Sequence, residues 1–195
     1  SITGHGEFIS TSSNAMASAI FYIRVPSGVI EFKKATKHGI NAGPYQCLSA
    51  FGQWSAEDST GTLTIRGSLE NSGSISSYSS VASFHDGNIN TDIVVRQHGG
   101  TGDGVRLWND TGDINGTMDV YSEGYCLFTQ ARTSPLSYLK GRFETLTSNQ
   151  GTYYALYFGP GYRGNFHVDA EVRGAIYIGP GDTYEGSVHV RGYQE

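Results

Sequence analysis

Charged residues are scarce in this chain, since Asp, Glu, Lys and Arg make up 16% of its 195 residues, against roughly 25% in typical soluble proteins. The net charge of −5 provides no basic surface for phosphate groups, which argues against nucleic acid as a partner. No apolar run approaches the roughly 18 residues that a membrane-spanning helix needs, so no membrane insertion is expected. The residues that follow Ser1 do not show the charged-then-apolar pattern of a signal peptide, and we expect the chain to be a piece of a longer or processed protein.

Cysteine is nearly absent, and the signatures of common catalytic sites are missing. Cys47 and Cys126 are the only two cysteines, too few for a disulfide framework, and they match no zinc pattern. The chain contains no G-x-S-x-G elbow, no H-E-x-x-H pair and no G-x-x-x-x-G-K-[ST] phosphate loop. Residues 98–104 and 109–115 resemble calcium loops only weakly, and a glycine-rich loop and a polar turn explain them better. We expect no metal and no cofactor.

Glycine and tyrosine, in contrast, are abundant. There are 27 glycines, about twice their usual share of roughly 7%, and 13 tyrosines against 5 prolines. This composition favours turns and strands over helices.

Eight segments begin in the same way, with a glycine followed two positions later by a large apolar residue, at intervals of 22 to 33 residues. The apolar residues are Phe8, Ile30, Leu63, Ile89, Met118, Phe143, Phe166 and Val188. Polar residues mostly occupy the alternate positions, a period of two that indicates strands with one buried face. Most units continue into a second short strand, as in "GVRLW" at 104–108 and "AIYI" at 175–178.

Such units are typical of a parallel β-solenoid, in which each coil stacks about 4.8 Å above the last. The sequence therefore predicts one all-β domain over residues 1–195, with about seven to eight rungs and the eight apolar residues in one continuous internal stack. The recurring glycines are predicted at corners, where positive φ is needed. Cys47 and Cys126, three rungs apart, are predicted to be free thiols, since about 14 Å exceeds the Cα separation of a disulfide, about 7 Å.

Two alternatives to the solenoid remain at the level of sequence. A β-sandwich is favoured by the Asp-Gly and Asn-Gly pairs at 86–87, 103–104 and 115–116, which are typical of hairpin turns. The only plausible helix covers 13–23, either as a cap or, more simply, as the second strand of the first rung.

In register, the third residue after each starting glycine would form an outward column. In the last four rungs this column contains Asp119, Glu144, His167 and His189, with neighbours about 5 Å apart. Asp119 and Glu144 are the candidate catalytic residues, since two carboxylates at that separation suit a retaining glycosidase. A solvated polar ladder explains the column better.

A second group is aromatic and clusters in the later rungs. Its members are Tyr125, Tyr153, Tyr157, Tyr177 and Tyr184, with Trp108 and Trp54 near the long insertions. Side-by-side tyrosines serve equally as platforms for sugar rings and as the core of a subunit interface. We therefore expect glycan binding or an interface at these residues, with an ordinary surface as the alternative for the tyrosines and core filling as the better explanation for the two tryptophans.

The repeat from Gly6 to Gly192 resembles the right-handed, pectin-lyase-like parallel β-helix of bacteriophage tailspikes and tail fibres. The resemblance is architectural, and no catalytic motif of that family is matched. It implies a homotrimer in an extracellular virion fibre or spike that binds host-surface polysaccharide. The last unit ends at Glu195 after one strand, so we expect further chain or partner chains to cover that end. A polysaccharide-cleaving glycosidase or lyase and a purely structural spacer are the alternatives.

Overall fold

The alternating segments form strands in the computed structural model, which describes residues 2–3, 7–10, 20–25, 27–37, 45–51, 61–72, 79–108, 112–129, 137–146, 152–159, 166–179 and 187–192. The strands of the first half are β1 (Ile2–Thr3), β2 (Glu7–Ser10), β3 (Phe21–Arg24), β4 (Gly28–Lys37), β5 (Tyr45–Phe51), β6 (Thr62–Asn71), β7 (Ser80–His85) and β8 (Asn88–Gln97). Those of the second half are β9 (Asp103–Leu107), β10 (Ile114–Ser122), β11 (Leu127–Thr129), β12 (Ser137–Thr145), β13 (Tyr154–Phe158), β14 (Phe166–Arg173), β15 (Ala175–Ile178) and β16 (Ser187–Gly192).

These strands alternate between two parallel sheets as the chain advances. Sheet A has the order β1-β4-β6-β8-β10-β12-β14-β16, with β2 also paired to β4, and sheet B has the order β15-β13-β11-β9-β7-β5-β3. Every strand pair in the described part of the chain is parallel, so the sandwich of antiparallel hairpins is wrong. No described residue is helical, and residues 21–23 of the possible helix belong to strand β3. The fold is a β-solenoid, as predicted.

The core lies between the inward faces of the two sheets. Burial alternates along β8 and β10, so that residues such as Ile89, Ile93, Met118 and Val120 are buried. This confirms that the period of two marks buried faces. At the outermost strands β15 and β16, inward positions are more open, and Ile178 is 54% exposed.

The register of sheet A differs from the one predicted from the glycines. Leu63 does lie opposite Ile89, but Met118 lies opposite Ile93. The other pairs formed include Phe8–Ala35, Gly28–Leu63, Phe143–Val120 and Val188–Val168. The single stack from Phe8 to Val188 is therefore wrong. The strands align so that the buried apolar residues of one strand lie opposite those of the next. The starting glycines therefore do not lie opposite one another.

The glycines differ in position because they have two roles. Gly87 lies between β7 and β8 with φ +101°, at a corner as predicted. Gly116 and Gly141 instead lie inside β10 and β12, with φ of +124° and +144°. A Cβ at Gly141 would fall on the carbonyl oxygen of Met118 in the adjacent strand, so this position requires glycine for close approach as well as for its dihedral angle.

A column of polar residues lies inside the solenoid, at the carboxyl ends of the strands of sheet A. The sequence analysis did not predict this column. Successive strands place Lys37, Asn71, Gln97, Ser122 and Thr145 opposite one another, all fully buried. The Gln97 Oε1 atom accepts hydrogen bonds from Ser122 Oγ (2.9 Å) and from the backbone N–H groups of residues 123 and 124 (2.8 and 3.2 Å). These bonds satisfy backbone donors where the chain leaves the sheet.

Candidate functional site

Asp119 and Glu144, the candidate catalytic pair, do not lie next to each other. Asp119 lies opposite Arg142 on the adjacent strand, and its Oδ1 accepts a 3.0 Å hydrogen bond from the Arg142 backbone N–H. Glu144 lies two positions further along that strand and faces Arg173 on the next one. With strands about 4.8 Å apart and two residues spanning about 6.6 Å, the Cα atoms of the two carboxylates are roughly 8 Å apart. The predicted adjacency is wrong.

The two histidines predicted for the same column lie in two other columns. His167 lies beside Tyr138, with ring centroids 6.5 Å apart, and His189 lies beside Asp169. The four side chains therefore share no site. Among the residues that the structure describes, no cluster of three or more His, Cys, Asp or Glu could hold a metal ion.

Opposite charges alternate across the outward face of sheet A. The Glu144 Oε2 atom lies 3.2 Å from Nη2 of Arg142, and its Oε1 lies 3.3 Å from Nη1 of Arg173. Earlier in the sheet, the Lys34 Nζ lies 2.6 Å from Oε2 of Glu70, and this hydrogen bond lowers the pKa of Glu70 below its usual value. The Glu144–Arg173 and Lys34–Glu70 pairs join neighbouring strands and help to hold them together.

An open depression of about 590 Å³ lies on this same face. We call it the charged depression, and its lining residues are Asp119, Tyr121, Lys140, Gly141, Arg142, Asp169 and Glu171. The faces of the Tyr121 ring are already occupied, because the guanidinium carbons of Arg96 and Arg142 lie 5.2 and 5.9 Å from its centroid. The depression therefore offers charged groups of both signs and little free aromatic surface.

The outward face of sheet B carries an aromatic column. Phe128, Tyr157 and Tyr177 occupy matching positions on β11, β13 and β15. Successive ring centroids are 4.8 Å apart, with interplanar angles of 5° and 10°. Because this spacing equals the separation of the strands, each ring stacks on the ring of the next coil.

Three further tyrosines flank the column. The ring centroid of Tyr125 lies 5.2 Å from that of Tyr153, 6.1 Å from that of Tyr154 and 5.1 Å from that of Tyr157. Burial raises the pKa of Tyr125 and of Tyr157 above the usual tyrosine value. We call the half-buried group Tyr125, Phe128, Tyr153, Tyr154, Tyr157 and Tyr177 the aromatic surface.

The structure brings together four of the five tyrosines that the sequence grouped, and Tyr184 and Trp54 lie outside the described residues. Phe128 and Tyr154 were missed. Aligning the second strands as VRL, LFT, LYF and IYI, according to their true register, would have placed Phe128 in the column.

Arg106 continues the aromatic column on the other side of Phe128. It is only 6% exposed, and its guanidinium carbon lies 4.7 Å from the ring centroid of Phe128 and 5.5 Å from that of Trp108. The Trp108 ring also stacks on His85, at 6.3 Å and 5°. Trp108, a candidate for sugar stacking, is thus in contact with a guanidinium and an imidazole.

Asp103 forms a buried ion pair beneath this column. Its Oδ2 accepts a 2.6 Å hydrogen bond from Arg106 Nε and also contacts Nη2, while Oδ1 has no hydrogen-bond partner. Burial raises the pKa of Asp103 to about 7, although the positive charge of Arg106 acts in the opposite direction. The sequence analysis placed Asp103 in a glycine-rich loop and did not predict this pair, since a buried charge in a short strand has no periodic signal.

Cys126 is a free, fully buried thiol, as predicted. Its Sγ lies 3.7 Å from Oγ1 of Thr145, and burial raises its pKa to about 12, so it is unreactive as a nucleophile near neutral pH. The side chain of Cys47 lies outside the described residues.

No protein-family model, curated protein or solved structure matches this chain. Within the described ranges, no helix has the length and apolar character to cross a bilayer.

Proposed function

We propose that this chain is a segment of an extracellular fibre or spike, in which three copies pack side by side through the aromatic surface. In this proposal the solenoid is a right-handed β-helix of about seven to eight rungs, its role is structural, and the assembled fibre binds polysaccharide on a host surface. The architectural resemblance to phage tailspikes and tail fibres supports the virion setting and the receptor.

The aromatic surface is the observation that carries the proposed assembly. Six half-exposed aromatic rings lie together on one face, and Tyr and Phe are enriched in interfaces between subunits. The nearest charged groups in this column, Asp103 and Arg106, are buried and paired with each other. Two copies of this face would therefore meet without like-charge repulsion, whereas the outward face of sheet A is densely charged.

The geometry of the rings favours an interface over sugar stacking. A sugar ring packs on the face of an aromatic ring, but the faces of Phe128 and Tyr157 are covered by Arg106 and by neighbouring rings. Their edges and hydroxyl groups remain available. Interdigitating edges from a second copy would bury apolar area and leave the hydroxyls to hydrogen-bond at the rim.

Sedimentation of the isolated chain tests the assembly. We expect the wild-type chain to sediment at three times its monomer mass, and Tyr177→Asp or Tyr157→Asp to sediment as a monomer, because each places a charge in the interface core. Tyr138→Asp is the matched control, since Tyr138 is 43% exposed on the outward face of sheet A, and it should remain trimeric. Far-ultraviolet circular dichroism establishes that each variant keeps its strands.

A wild-type chain that sediments as a monomer would contradict the proposed assembly. So would trimers of both aromatic-surface variants. If Tyr138→Asp alone dissociates the trimer, the interface lies on sheet A and the assignment to sheet B is wrong.

A further inference from the structure

We infer that the charged depression on sheet A binds the hydroxyl groups of a neutral saccharide. This inference depends on the receptor role proposed above, and it is independent of the proposed trimer. It places the receptor site on the opposite outward face from the tyrosines that the sequence indicated.

Two charged side chains in the depression, those of Glu171 and Lys140, form no hydrogen bond or ion pair with the part of the chain that the structure describes. Glu171 forms no hydrogen bond or ion pair with any described residue, although it lies opposite Arg142, because the Arg142 guanidinium contacts Glu144 instead. The exposed Lys140 has its ammonium 5.3 Å from the ring centroid of Tyr138. An acceptor and a donor therefore remain available on adjacent strands.

The chemistry of these groups selects hydroxyl ligands. A lysine ammonium can only donate hydrogen bonds and an ionised carboxylate can only accept them, whereas a hydroxyl group does both. A saccharide, with hydroxyls along its length, can accept from Lys140 and donate to Asp119, Asp169 or Glu171. Charge-assisted hydrogen bonds of this kind are stronger than those between neutral groups.

The alternation of sign disfavours ligands that carry one kind of charge. The depression contains three carboxylates and two cations, and groups of opposite sign lie opposite each other across strands, as in Asp119–Arg142 and Lys140–Asp169. A polyanion or polycation that paired with one group would meet a like charge about 4.8 Å away on the next strand. A neutral polyhydroxylated chain meets no such penalty.

The dimensions of the charged depression suit an oligosaccharide. The volume of about 590 Å³ lies within the range of about 300–1,000 Å³ for small-molecule sites. The depression spans β10, β12 and β14, whose groups repeat at the spacing of the strands. Successive sugar units running across the strands can therefore repeat the same contacts.

Titration of the isotope-labelled chain with neutral oligosaccharides of glucose, galactose, rhamnose and N-acetylglucosamine, followed by amide resonances, tests this inference. We expect at least one to shift the resonances of Lys140, Arg142 and Glu171. Glu171→Gln and Lys140→Met should each weaken that binding about tenfold, the effect of one charged hydrogen bond. Glu31→Gln and Arg66→Met are the matched controls, since they remove one negative and one positive charge from the same face at a distance from the depression, and they should bind like the wild type.

Three results would overturn the inference: no shift with any of the four oligosaccharides, shifts confined to the aromatic surface, or equal binding by the depression variants and their controls. Denaturation curves of each variant separate lost binding from lost folding. Sedimentation of the same samples separates the two proposals, because a trimer without saccharide binding overturns only this one, and a monomer that binds saccharide overturns only the proposed assembly.

Discussion

At the scale of single residues, Asp103 is a carboxyl group that the fold removes from water. It is fully buried, and only one of its carboxylate oxygens is hydrogen-bonded. Burial outweighs the attraction of Arg106 and raises the pKa of this carboxyl from 3.8 to about 7. Between about pH 4 and pH 7, Asp103 therefore keeps its proton in the folded chain but has lost it in the unfolded chain.

This pKa predicts a decrease in stability as the pH rises. Because the folded-state pKa is raised, the contribution of Asp103 is fully present below about pH 4 and is lost as the pH rises through about 7. In Asp103→Asn, the free energy of unfolding should lack this decrease, which amounts to roughly 4 kcal/mol at most. Denaturant titrations at pH 4.5 and pH 8 measure the difference, and an unchanged pH dependence in the variant would refute the assignment.

Gly141 shows how a single backbone position constrains a neighbouring strand. Its φ of +144° is unfavourable for alanine, and a Cβ would fall on the Met118 carbonyl oxygen. Gly141→Ala should therefore lower the free energy of unfolding by about 2–4 kcal/mol, from strain and displacement of the strand. Gly28→Ala is the control, since Gly28 has a similar φ of +151° but no atom near its Cβ position. Equal losses in chemical denaturation would show that the close approach to Met118 has no energetic effect.

At the scale of strands, the alternating charges on the outward face of sheet A specify its register. Glu144 pairs with Arg173 on the next strand and Lys34 pairs with Glu70, so a slip of one strand by two residues would break these pairs. It would also move Arg142 away from its position between the carboxylates Asp119 and Glu171. The inward apolar columns have the same effect, since a slip by one residue would expose them. Charge pairs and apolar columns thus favour one alignment of the strands.

Reversing the charge of Arg142 should show how much the charges on this face contribute to the free energy of unfolding. Arg142→Glu places three carboxylates in one column, and we expect it to lower the free energy of unfolding by about 1–2 kcal/mol, since like charges directly opposite are destabilising. Asn90→Glu adds a carboxylate between Thr64 and Asn115, which are neutral, and should cost much less. Added salt should reduce the loss in Arg142→Glu by screening. A loss independent of salt and equal to that of the control would show that the charges do not set the register.

At the scale of the whole molecule, the sequence predicts the class of fold better than it predicts the register of the strands. Alternation of apolar and polar residues identified the strands and their buried faces, because that period depends only on local geometry. The recurrence of similar units at intervals of 22 to 33 residues indicated the parallel stacking. Register depends on contacts between coils, and glycine misled the prediction because Gly87 marks a corner whereas Gly116 and Gly141 lie within strands. The predicted Asp119–Glu144 column failed with the register. Four of the five grouped tyrosines do lie together, because they belong to the second strands, and the turns beside them, of successive coils.

The parallel stacking also determines how the molecule responds to force. Hydrogen bonds in both sheets point along the stacking direction, since each strand pairs only with those of the coils before and after it. A pull on the two ends of the chain would therefore load the outermost strand first and detach the coils one at a time, as each depends only on its neighbours. A force applied across the stack would instead be shared among all coils at once, so the solenoid is mechanically weak along one direction and strong along the other.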